Sequence, residues 1–170
     1  MTVEVLDESG TDVDVEELAR LSRFVLGRMR LHPRSEMCVR LVDEDTIAAL
    51  NAQWMETDGP TDVLAFPIDE LTPGHADGDV EDLPQGYLGD VALCPAVAAR
   101  QAVEHEHSVL VETNLLAVHG ILHLLGYDHG DPEQHREMFA LQTRLLAEWQ
   151  GVREGQPLAD EGARPGPVTR

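Results

Sequence analysis

The chain has 170 residues with 42% hydrophobic content, which is enough for one core of ordinary composition. Thirty-two acids stand against twelve cations, all arginine, so a net charge of −20 repels nucleic acid on average. No apolar run approaches the roughly 18 residues of a bilayer span, and the acidic N-terminus lacks the basic-then-apolar order of a signal peptide.

Thr2 to Leu6 alternates apolar and polar residues and is a predicted strand. Asp14 is a good N-cap for a helix whose apolar positions are Val15, Leu18, Leu21, Val25 and Met29. Met37 to Val42 reads as a second strand, and Asp43 caps a short helix through Ile47 and Leu50. Gly59-Pro60 marks a turn before the strand Val63 to Phe66; Pro60 and Pro67 on its flanks predict an edge position. Residues 69–86 are rich in Gly, Pro and acids and predict a mobile loop. Tyr87 to Cys94 is the fourth strand.

Pro95 opens a helix to about His107. Ser108 caps the next, which runs to about Leu125 and is so apolar that burial in mid-domain is expected. Asp131-Pro132-Glu133-Gln134 starts the last helix, with Met138, Leu141, Leu145 and Trp149 as its core face. Residues 151–170 hold little apolar content and are expected to form a disordered tail after one domain, 1–150. Strands and helices mix without regular alternation. The expected fold is α+β: a small mixed sheet of about four strands with about five helices, and the helix carrying His119 and His123 at its centre. Cys38 and Cys94, in predicted strands, read as buried free thiols in a reducing cytoplasm.

The chemistry concentrates in His119-Gly-Ile-Leu-His123-Leu-Leu-Gly126-Tyr-Asp128-His129. Residues four apart share one helical face, and Gly126 offers the φ > 0 stop that turns His129 back toward them. Three neutral imidazoles with one open position suit a catalytic zinc ion. The metzincin pattern H-E-x-x-H-x-x-G-x-x-H matches in its three His and its Gly, but Gly120 stands where the general-base Glu is required, which disfavours peptide hydrolysis. Asp128 is a candidate base, or else orients an imidazole. Glu112, seven residues before His119 on the same face, could hydrogen-bond a ligand from behind. Residues 20–40 hold six arginines against one acid, Glu36, either a phosphate-facing patch or the solvated face of a helix.

The run H-G-x-L-H-L-x-G-Y-D-H resembles the signature of the YbeY family. Leu50-Asn51, Pro60-Thr61-Asp62-Val63-Leu64-Ala65-Phe66-Pro67 and Leu88-Gly89-Asp90-Val91 follow the family's order across most of residues 1–150. The resemblance implies a cytoplasmic, zinc-dependent, single-strand-specific endoribonuclease. Its tasks would be 3′-end maturation of small-subunit ribosomal RNA and ribosome quality control, with one Zn2+ on His119, His123 and His129. Implied partners are single-stranded RNA and the small ribosomal subunit with its proteins, and no membrane. Two departures stand out. Trp54-Met55 occupies the place of a Tyr-Arg pair whose Arg serves RNA work, and Ala65 replaces a frequent Ser. Either Arg20 to Arg40 supplies the missing charge, or activity on RNA is weaker or needs the ribosome. Trp54 is a candidate for stacking a base, or packs. The rival reading is a non-catalytic, zinc-stabilised ribosome-assembly factor whose acidic surface docks on basic ribosomal proteins; metzincin-like peptidase action ranks below it.

Overall fold

A computed structural model describes residues 1–54, 61–75, 77–128 and 130–155. The strands are β1 (Thr2–Asp7), β2 (Glu36–Leu41), β3 (Val63–Pro67) and β4 (Tyr87–Leu93). The helices are α1 (Val15–Arg28), α2 (Glu44–Trp54), α3 (Pro95–Glu104), α4 (Val109–Leu124) and α5 (Pro132–Arg153). The sheet order is β1-β2-β4-β3, with β1, β2 and β4 parallel and β3 antiparallel at the edge. This is the expected α+β fold, with β3 where its prolines do least harm, since an edge strand need not donate on both sides.

Helix starts follow local chemistry. The side chains of Asp14, Asp43, Ser108 and Asp131 each accept a hydrogen bond from an orphan backbone N–H of the first turn that follows. Met37, Val39 and Leu41 of β2 and Leu88, Val91 and Leu93 of β4 face the main core, shared with α1, α4 and α5. A smaller cluster of Val42, Ile47, Leu64, Ala92, Cys94 and Val97 lies on the other face under α2 and α3. Helix α4 packs against β3, β4, α1, α3 and α5, which buries most of its apolar surface beyond the exposed Val109 and Val111 of its first turn.

A buried carboxylate joins three of these helices. Glu17 of α1 accepts from Trp149 Nε1 (3.0 Å) and Arg153 Nε (2.7 Å) of α5 and from Asn114 Nδ2 (3.3 Å) of α4. Both cysteines are free and buried; Cys94 lies just past β4, at the N-cap of α3.

The structure departs from expectation at several boundaries. Helix α3 ends at Glu104, because Glu106 takes a left-handed φ of 57° and His107 N–H closes on Ala102 O. Helix α5 runs to Arg153, past residue 150; residues 156–170 of the expected tail lie outside the described residues, as do Gly59 and Pro60. The loop after β3 contains a 3-10 turn at Val80–Asp82 and is tied to the end of α1. Arg30 donates to His75 O and Gly78 O, and Gly74 N–H donates to Met29 O and Arg30 O.

Candidate metal centre

Ser108 and the first turn of α4 fix where that helix begins, and the apolar packing around it leaves little freedom of rotation. His119 and His123 consequently emerge on one side, toward α5. Their rings lie 4.6 Å apart at 76°, with Nε2 to Nε2 at 3.1 Å. His119 Nδ1 lies 3.0 Å from Gln142 Oε1, an acceptor, so this nitrogen carries the proton and the Nε2 lone pair faces His123. Phe139 of α5 flanks the His119 ring at 6.0 Å and His135 stacks on Phe139 at 4.4 Å.

Gly126 has φ 93°, and the helix closes with Tyr127 N–H on Leu122 O and Gly126 N–H on His123 O. This is the left-handed cap expected at that glycine. It reverses the chain at the C-terminal end of α4, on the same helix end as His123. Asp128 follows, exposed. His129 lies outside the described residues.

Gly120 is explained by packing. A Cβ there would stand 2.7 Å from Val91 Cγ1 and 3.2 Å from Val63 Cγ2, so the missing side chain lets α4 press onto β3 and β4. A glutamate at this position would have to displace the sheet, which removes the metzincin arrangement on steric grounds.

The expectation that Glu112 supports a ligand from behind is corrected. Glu112 is 1% exposed and its Oε2 meets His105 Nδ1 at 3.1 Å and His107 Nε2, at the opposite end of α4. One ligand atom from each of these three residues lies within 4.8 Å of the others, a geometry that could hold a metal ion. The support behind His119 comes instead from Gln142, 4% exposed on α5. Only its place one residue past Leu141, in an otherwise apolar stripe, signals it in sequence.

The arginine run largely serves the fold. Arg28 makes a two-pronged pair with Glu148 (2.9 and 3.1 Å), Arg40 reaches Glu8 at 3.3 Å, Arg20 lies 3.7 Å from Glu17, and Arg30 holds loop carbonyls. Arg23 and Arg34 are exposed. Trp54 is 60% exposed, edge-on to Phe66 at 6.5 Å; Met55 lies outside the described residues. On the face of the sheet turned away from the main core, burial first, then Asp90 and Glu4, push the Cys38 thiol up to about 11. Burial, and then its hydrogen bond to Asp90, raise the Tyr87 phenol as well.

The fold and this helix define a class: an α+β fold in which paired imidazoles project from a buried central helix. The family profile described as Endoribonuclease YbeY matches residues 4–150. An Endoribonuclease YbeY of Nocardioides sp. is 62% identical over 149 residues, covering 88% of this chain and 98% of the relative. Another, of Acidothermus cellulolyticus, is 54% identical over 160 residues, covering 92% and 98%. A Thermotoga maritima protein solved in solution aligns with a TM-score of 0.60 at 29% identity, covering 95% of this chain and 99% of that one. The chain belongs to the YbeY family.

Proposed function

We propose that this protein is a metal-dependent, single-strand-specific endoribonuclease, with one Zn2+ held by His119, His123 and His129. Its task would be to mature the 3′ end of small-subunit ribosomal RNA and to police ribosome quality in the cytoplasm. The relatives bearing the name Endoribonuclease YbeY support the nuclease class. The observation that carries the metal is the 3.1 Å approach of the two Nε2 atoms, with His119 Nδ1 already committed to Gln142. Two zinc–nitrogen bonds of about 2.0–2.1 Å at a tetrahedral angle place their nitrogens roughly 3.3 Å apart, so the pair needs almost no movement to fit.

A bound zinc ion supplies Lewis acidity toward a phosphodiester oxygen and makes water a better nucleophile near neutral pH. The chain's own residues do the rest. Gln142 fixes the tautomer and tilt of His119, and Phe139 covers that ring. Asp128, exposed after Gly126, would take a proton or orient the neighbouring imidazole. Single-stranded RNA suits such a site because its backbone bends freely toward it, and exposed Trp54 offers a face on which a base could stack.

The rival reading is a zinc-stabilised assembly factor without catalysis. Arg20, Arg28, Arg30 and Arg40 have partners within the chain, whereas Arg23 and Arg34 lie exposed on the surface where a phosphate could reach them. The deciding experiment compares cleavage of a single-stranded RNA by zinc-loaded wild type and by His123→Ala, both purified free of contaminating nuclease. Wild type is expected to cut at least about a hundredfold faster, as for loss of an essential group. Equal rates would overturn the nuclease reading. Zinc removal that unfolds the domain with no activity to lose would favour the assembly factor.

A further inference from the structure

We propose that His105, His107 and Glu112 form a second divalent-metal site that staples the end of α3 to the first turn of α4. This site stands independently of the RNA-cleavage reading. His105 Nδ1, His107 Nε2 and Glu112 Oε2 converge within 4.8 Å, and the 3.1 Å His105–Glu112 separation is close to the ligand–ligand spacing around a tetrahedral ion, while the tighter His107–Glu112 contact opens by a side-chain adjustment as the ion enters. The three donors are fixed by the backbone before any metal arrives. Glu106 at φ 57° and the His107 N–H to Ala102 O bond set the direction of His107. The Ser108 cap and the Glu112 N–H to Ser108 O bond set the direction of Glu112.

Glu112 is nearly fully buried, and among the described residues its carboxylate pairs with no arginine. A buried carboxylate must be hydrogen-bonded or paired, and a divalent cation would pair it while both rings stay neutral, the ligand form. Two imidazoles and one carboxylate select a borderline ion such as Zn2+ over Mg2+ or Ca2+, which take oxygen shells. His105, half-exposed, leaves one side open for entry and for a fourth, water ligand. At 1.5 Å per residue, Glu112 lies about 10 Å along α4 from His119, so no single ion serves both groups.

The test counts zinc bound per chain after equilibrium dialysis, with folding checked by circular dichroism. The double variant His119→Ala/His123→Ala is expected to keep one Zn2+, and adding His105→Ala and Glu112→Gln should weaken that binding at least about a hundredfold. Should the double variant misfold, His105→Ala alone, which alters only a half-exposed ring, is expected to bind one Zn2+ fewer than wild type and to cleave RNA equally well. A folded double variant that binds no Zn2+, or unchanged stoichiometry on losing His105 and Glu112, would overturn the site. Failure of RNA cleavage with two ions still bound would count against the nuclease reading and leave this one standing.

Discussion

Gln142 holds the proton of His119 Nδ1 in place from a buried position on α5, and with it the direction of the lone pair on Nε2. Replacing it by Leu keeps the packing but frees the ring. Zinc affinity is expected to fall about 10–100-fold with the fold intact, read by competition titration against a chelator; unchanged affinity would mean the contact is incidental. Cys38 makes a second prediction at this scale. Burial, together with Asp90 and Glu4, raises its thiol from 9.0 to about 11. A folded-state value above the unfolded one means that the neutral thiol favours folding. That contribution is full below pH 9.0 and is lost as pH rises toward about 11. Thermal melts should therefore show a loss of stability across that window that is smaller in Cys38→Ala. At pH 8 the thiol should react slowly with iodoacetamide until the protein is denatured.

At the scale of elements, the position of α4 is decided by what grips it at either end. The Glu17 carboxylate links α1, α4 and α5 through Asn114, Trp149 and Arg153. Glu17→Ala would leave the buried Asn114 amide and Trp149 indole N–H without acceptors, at a cost of roughly 1–3 kcal/mol for each donor left unpaired. Urea denaturation should register this as a lower midpoint at unchanged slope. A much smaller effect would show that water or neighbouring groups replace the carboxylate. Most elements were legible in the chain: the caps at Asp14, Asp43, Ser108 and Asp131 and the stop at Gly126 are local signals, and local geometry obeyed them. Glu17 was not legible, because its partners lie 97 and 132 residues away in sequence. Nor were the partners of Glu112. Helical periodicity placed it below His119, whereas the left-handed turn at Glu106 brings His105 and His107 to it from outside the helix.

For the molecule as a whole, a charge of −20 opposes approach to RNA even where the site accepts it. Screening should relieve that repulsion. Raising ionic strength from about 0.01 M to about 0.15 M shortens the Debye length from about 30 Å to about 8 Å, so kcat/KM on a short single-stranded RNA is expected to rise or stay level. Ordinary RNA-binding proteins lose affinity over the same range, because they release counterions from phosphate. A steep fall here would reveal a phosphate-binding surface of several cations, with exposed Arg23 and Arg34 the first candidates for it.

By itself the sequence determined the elements, the α+β class, the edge position of β3 and the shared face of His119 and His123. Each of these follows from short-range rules: side-chain period, capping chemistry and proline's missing donor. Tertiary structure alone decided what stands behind those residues. It put Gln142 against His119, valines against Gly120, two histidines against Glu112, and internal partners beside the arginines. Such contacts depend on how helices and sheet close on one another, and no local pattern encodes which buried polar group another will meet.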